Sequence, residues 1–155
     1  MDIVCYVLVR SDLPSLNPGK AMSQTHHAGV QMMAQRESHK IVDQYVQSGC
    51  YQGADHFNTT IVLAATKNQI SAKHVEAVQA GIKAKGMVTD PSYPFTVENC
   101  EIANLVENGH DIKIVNDLRD GRVLMVRPEL TCAWFVIDRD NQDQKMIFED
   151  LNLYP

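Results

Sequence analysis

The stretch Pro18-Gly19-Lys20-Ala21-Met22-Ser23-Gln24-Thr25-His26-His27-Ala28 concentrates an ammonium, an amide and two imidazoles behind a proline-glycine start. At 100° per residue, Lys20, Gln24, His27 and Gln31 fall within about 60° of one another on one helix face. Met22, Val30 and Met33 fall on the opposite side. A solvated stripe would give the same spacing, but it ordinarily mixes Glu with Lys, and this one has no carboxylate. Lys20 also lies in the first turn, where the helix dipole disfavours a cation by roughly 0.3–1 kcal/mol. A cation placed there beside free backbone N–H groups suits a phosphate or a developing oxyanion.

Asp90 is the second candidate. It precedes Pro91 at the end of an apolar segment, the carboxyl edge of a sheet, where ligand sites of open α/β folds collect. Capping of the Pro91-Ser92 turn is the plainer reading of the same residue. Thr131 opens the last apolar run and reads equally as an ordinary β-branched strand residue, and Trp134 and Phe135 read as core. Other chemistry is excluded or unmarked. Gly19-Lys20 is no phosphate-binding P-loop, because Pro14 stands where that motif has glycine and Ala21 replaces its Ser/Thr. Adjacent His26 and His27 diverge by about 100° and cannot chelate one metal. His39, His56, His74 and His110 are isolated and read as surface or satisfied core residues.

The elements that must position these groups follow from periodicity. Residues 3–10 (IVCYVLVR) form a strand buried on both faces, and 11–19 a loop with two prolines. Helices are expected over 20–36 and 38–48, the second with Ile41, Val42, Tyr45 and Val46 on one face and Gly49 as its stop. Residues 59–65 form a second buried strand. A helix over 71–85, with Val75, Val78 and Ile82 inward, is expected to stop at Gly86, and a short strand over 87–90 to be interrupted by Pro91. This β-α-α-β-α-β order argues for a mostly parallel sheet flanked by helices. Residues 111–126 then form a hairpin around Asp120-Gly121, 131–138 a last strand and 141–151 a terminal helix. The chain reads as one domain, 1–155, with an internal elaboration over about 97–129.

Composition bounds the rest. The chain has 155 residues, 45% apolar and 21% charged, with a net charge of −5. That excludes a disordered chain and a wholly basic nucleic-acid binder. Residues 1–97 carry 8 basic against 7 acidic groups and 98–155 carry 6 against 12, so an anionic ligand is expected at the first part. Cys5, Cys50, Cys100 and Cys132 lack any C-x-x-C spacing and read as reduced thiols of a cytoplasmic protein. The start, Met1-Asp2-Ile3-Val4, has no basic region of a signal peptide, and no apolar run suffices to span a bilayer. No membrane partner is expected.

The order Leu8-Val9-Arg10-Ser11-Asp12-Leu13, loop, Gly19-Lys20, Gln24, His27-Ala28 resembles the type-2 peptidyl-tRNA hydrolases of archaea and eukaryotes. Tyr45-Val46-Gln47-Ser48-Gly49 is similar to that family's second helix, 60–65 to its Val-Val-Leu-x-Ala strand, and Thr131-Cys132-Ala133 to its last strand. Leu151-Asn152-Leu153-Tyr154 is similar to its usual ending. The likeness covers about residues 3–96 and 129–154. It implies a three-layer α/β/α sandwich with a mixed four-stranded core sheet whose last strand is antiparallel, here with an inserted β-hairpin. It implies hydrolysis of the ester joining a peptide to the 3′-terminal ribose of tRNA, with no metal or organic cofactor, and a homodimer as a common assembly.

The family's lysine, aspartate and threonine fall on Lys20, Asp90 and Thr131 as catalytic residues, with Gln24 and His27 as support. Arg10, Lys20, Arg36 and Lys40 are the cations available to tRNA phosphates. After its aspartate the family has Ala-Gly-x-Thr; this chain has Pro91-Ser92-Tyr93-Pro94, leaving Thr96 or Ser92 to supply the hydroxyl. That departure and the acidic distal third favour a rival: the fold kept as a non-catalytic RNA- or protein-binding module. A hydrolase for another activated acyl ester is a third option.

Overall fold

The computed structural model describes residues 2–13, 16–49, 58–109, 112–118 and 120–155. Cys50, His56, His110, Asp111 and Arg119 lie outside them. The β-branched run Ile3–Arg10 is strand β1, and Thr60–Ala65 is β2, paired to it in parallel from Cys5↔Thr60 to Arg10↔Ala65. Between them come helices α1, Pro18–Ala34, and α2, Lys40–Gly49. Asn17 caps α1, its side chain accepting from the Lys20 N–H at 2.9 Å, and Pro18 occupies a first-turn position where no amide hydrogen is needed. In α2 Val42 and Tyr45 are buried, with Ile41 and Val46 partly so, the face the spacing implied.

Helix α3 spans Lys67–Gln79, starting and stopping earlier than expected. Thr66 and Gln69 form a reciprocal capping box that starts it, and Gly81, at φ 72°, rather than Gly86, turns the chain out of it. Its inward face is Ile70, Lys73 and Ala77, so Val75 and Val78 are exposed, contrary to expectation. Ionic anchoring makes the inversion possible: Lys73 ends between Glu76 at 3.1 Å and Asp150 at 2.8 Å. Of the expected inward trio only Ile82 is buried, beyond the end of the helix.

Strand β3 runs from Lys85 to Glu98, through Pro91 rather than ending before it. A short 3-10 turn, Asn99–Glu101, and helix α4, Ile102–Glu107, neither of them foreseen, lead to β4, Lys113–Asp117. The expected hairpin then turns at Gly121, φ 81°, with Asp120 accepting from the Arg122 N–H. Its second strand and the last apolar run are one continuous strand, β5, Arg122–Asp138. The terminal helix is shorter than expected: α5 covers Gln142–Met146, and β6, Asn152–Leu153, closes onto β2.

The protein is thus a mixed α/β fold with sheet order β3-β5-β1-β2-β6 and β4 on β5. β5 is antiparallel to both β1 and β3, so its two neighbours run the same way. Successive residues of β1 enter two different clusters, as strand geometry requires. Val4, Tyr6 and Leu8 join Ile70, Ala77 and Phe148; Cys5, Val7 and Val9 join Ala28, Met32, Val42 and Trp134. Trp134 and Phe135 are fully buried, one in each cluster. No helix among the described residues is long and apolar enough to cross a membrane.

Gly86 marks where α1 presses closest. A Cβ there would lie 2.5 Å from both Gln31 Oε1 and Trp134 Nε1. Overpacking of this kind costs about 1–3 kcal/mol. Gly86→Ala is therefore expected to lower the unfolding free energy by that amount, seen as a lower urea midpoint with the m-value unchanged; parental stability would show that the approach is loose.

Candidate functional site

Gln24 and Gln31 of the polar stripe of α1 face the sheet. Gln24 is 4% exposed, while Met22, Val30 and Met33 on the other side are exposed. Small residues make this tolerable: Ala21 and Ala28 flank Gln24 on the buried face and let the helix come close. Gln24 Nε2 donates to Asp90 Oδ2 at 3.0 Å, and Thr131 Oγ1 donates to Gln24 Oε1 at 2.6 Å. The Cys132 thiol donates to the Gln24 carbonyl oxygen at 3.3 Å. Two turns further on, Gln31 accepts from Trp134 Nε1 at 2.7 Å and donates to the Met87 carbonyl at 3.2 Å.

Two irregularities in the sheet bring these partners to one side. Val88 pairs with Cys132 and Thr89 with Leu130, which leaves Thr131 as an extra residue in β5. At such a bulge alternation breaks, and Thr131 and Cys132 both reach α1. Then Asp90 pairs with Glu129 and Tyr93 with Arg127, so three steps along β3 match two along β5. The extra residue falls at Pro91-Ser92, opposite Pro128, where neither proline has an N–H to lose. Asp90 and Tyr93, an odd number apart, therefore share a face. Tyr93 is 2% exposed, and Lys20 Nζ lies 5.3 Å from its ring centroid.

Gln24, Asp90 and Thr131 thus meet at one point of the sheet, and Lys20, one helical turn from Gln24, lies over Tyr93. Asp90 also accepts from the Ser92 N–H at 2.9 Å, so it serves the turn as well as Gln24. Each of its oxygens retains a further lone pair for a ligand or water. Thr131 is 0% exposed, and its second neighbour is the Val88 carbonyl at 3.2 Å. It holds Gln24 and does not face a ligand itself. His27 is exposed, 3.5 Å from the Ser23 hydroxyl.

Several expected contacts lie elsewhere. Arg10 is 5% exposed and committed: Nη1 donates to Glu129 Oε1 at 2.9 Å and to the Leu130 carbonyl at 2.8 Å, and Nε pairs with Asp12. It is a buried ion-pair partner and not a surface cation. Arg36 pairs with Asp43 at 2.6 Å near the far end of α1, about 24 Å from Lys20 at 1.5 Å per residue, and exposed Lys40 is close by. Thr96 is exposed opposite Leu124, six residues along the strand from Asp90 and roughly 20 Å away. Ser92, not Thr96, is the hydroxyl residue beside the carboxylate. His74 is not satisfied as expected: its Nδ1 is buried without a partner, and burial, aided by Lys85, holds its pKa below the ordinary value.

Residue types alone did not mark Tyr93, Glu129, Arg127 or Lys67. Glu129 is 5% exposed beneath Arg10, Arg127 at 2.9 Å and Lys67 at 3.6 Å. The only sequence signal was an acidic residue just before an apolar run. Burial would raise its pKa, but the Arg10 hydrogen bond and the charges of Arg127 and Lys67 outweigh this and hold it below its ordinary value. Cys132 is no nucleophile, because burial pushes its thiol up to about 12. Cys5, Cys100 and Cys132 are unpaired. Among the described residues no cluster of His, Cys, Asp or Glu could hold a metal ion.

No family model matches the chain, and no curated protein matches it. It is similar to the solved structure of a protein of unknown function from Agrobacterium tumefaciens strain C58, at 13% identity and a TM-score of 0.44, over 100% of this chain and 99% of that one.

Because the folded pKa of Glu129 is depressed, its stabilising contribution is present above its ordinary value of 4.5 and is lost as pH falls through the lower folded value. Glu129→Gln is expected to cost about 3 kcal/mol at pH 7 by leaving buried Arg10 undercompensated. The gap between variant and parent should narrow below pH 4.5. A gap that stays constant from pH 7 to pH 3 would refute the ionic role.

Proposed function

We propose that the protein is a peptidyl-tRNA hydrolase, cleaving the ester between a peptide, or an N-blocked aminoacyl group, and the 3′-terminal ribose of tRNA. The observation that carries this is the Gln24 amide, which joins the Asp90 carboxylate to Thr131 one helical turn from Lys20. In this reading Asp90 orients a water and takes up its proton as the oxygen attacks the ester carbonyl. Lys20 stabilises the oxyanion of the tetrahedral adduct. Collapse of the adduct breaks the bond to the ribose 3′-oxygen, which leaves with a proton. Gln24 and Thr131 hold the carboxylate in place. The reading needs no metal or organic cofactor and goes with a cytoplasmic setting. We propose with it the finer architecture, a three-layer α/β/α sandwich around four core strands, β3, β5, β1 and β2, and a homodimer as the assembly.

One observation favours the second reading, a non-catalytic RNA- or protein-binding module. Both Asp90 oxygens already accept a hydrogen bond within the protein, so the carboxylate is engaged in holding Gln24 and the turn at Ser92. The two readings separate in one assay pair, peptide release from purified peptidyl-tRNA and tRNA binding titrated with salt. Binding without release selects the module.

For the hydrolase, Lys20→Ala is expected to lower turnover by about 10²–10³-fold, the usual cost of removing an oxyanion donor. Its melting temperature should fall by no more than a few degrees, in line with a change of about 0.5 kcal/mol at a partly exposed position. Parental turnover in that variant would reject the role of Lys20, and ester cleavage indifferent to the tRNA moiety would reject the substrate.

A further inference from the structure

We infer that Tyr93 is the positioning residue for Lys20, holding its ammonium over the ring face. The consequence for turnover rests on the hydrolase reading above; the contact itself does not. Three observations lead to it. Lys20 stands in the first turn of α1, where the partial positive charge of the helix end repels a cation, and its own N–H is already taken by Asn17. A lysine there has four rotatable carbons and every reason to swing into water. Yet Nζ lies 5.3 Å from the Tyr93 centroid, within the distance at which an aromatic quadrupole attracts a cation.

The ring, in turn, is fixed. At 2% exposure Tyr93 has little freedom to follow the lysine, so the contact constrains the ammonium rather than the ring. Its direction comes from the Pro91-Ser92 bulge. In a regular strand, Tyr93, three residues on, would point to the opposite face from Asp90 and could not meet α1 at all. The residues that depart from the Ala-Gly-x-Thr pattern thus have a physical use of their own. They replace a loop hydroxyl by an aromatic platform, and they present Tyr93 and Asp90 to residues 20 and 24, on successive turns of one helix face.

The test separates ring electrostatics from shape. Phenylalanine and its mono-, di- and trifluorinated analogues at position 93 keep the volume nearly constant while draining negative charge from the ring face. With Tyr93→Phe as the reference, the fluorinated series is expected to lower turnover on peptidyl-tRNA stepwise to about tenfold. Turnover that ignores fluorination would overturn the inference. In protein carrying 13C-lysine, the Lys20 ε-methylene resonance should be displaced upfield by the ring current and return in Tyr93→Leu; an unmoved resonance would also overturn it. Should Tyr93→Leu fail to fold, the fluorinated series, read by the same resonance and by turnover, decides alone. If the parent protein releases no peptide, the hydrolase reading falls, whereas the displaced resonance still establishes that the ring holds the ammonium.

Discussion

A glutamine side chain withdrawn from water must place two donors and an acceptor, and Gln24 does so in the only sense its neighbours permit. A carboxylate can only accept, so the amide nitrogen must face Asp90. That leaves Oε1 toward Thr131, whose single hydroxyl proton is drawn to it at 2.6 Å rather than to the Val88 carbonyl at 3.2 Å. The chain of bonds therefore has one polarity, from threonine hydroxyl through amide to carboxylate. It ties α1 to β3 and β5 at once. Breaking any member leaves another polar atom unpaired in the interior, at about 1–3 kcal/mol each.

That bond chain exists only because the sheet is irregular at this level. A regular β5 would send Thr131 and Cys132 to opposite faces, and a regular β3 would do the same to Asp90 and Tyr93. Two bulges, offset on neighbouring strands, instead gather all four toward α1. Pro91 and Pro128 make the irregularity cheap, since the ladder loses no donor that either could have supplied. Just beyond, Glu129 is clamped by Arg10, Arg127 and Lys67, and Arg10 also holds the Leu130 carbonyl. The residues immediately before Thr131 are thereby anchored ionically to the end of β1.

The helices show why an apolar pattern does not mark the buried face of α1 or α3. Each buries a long polar side chain, Gln24 or Lys73, and exposes large apolar ones, Met22, Val30 and Met33 or Val75 and Val78. In both cases alanines next to the buried polar group supply the close packing, Ala21 and Ala28 in one helix and Ala77 in the other. The polar group finds its partners on the strands for Gln24, which meets Asp90 and Thr131, and in Glu76 of the same helix and Asp150 beyond α5 for Lys73. Helix α2, with no such polar anchor, follows its apolar pattern, and Val42 and Tyr45 face inward as the spacing implied.

Local composition by itself determined the strands β1 and β2, the helices α1 and α2 to within two residues, the Asp120-Gly121 turn and the burial of Trp134 and Phe135. These are decided by β-branched runs, caps and turn residues acting over a few positions. Lys20, Gln24, Asp90 and Thr131 could be picked out by residue type and by resemblance. Their mutual arrangement could not, because it depends on bulges that shift strand register by one residue, and no local propensity encodes a register. For the same reason Tyr93 passed as a loop residue, and Arg10 as a free cation until Glu129, 119 positions away, claimed it. Only the closed sheet decides which polar groups meet, since a buried partner's identity is a property of the fold and not of its neighbours in the chain.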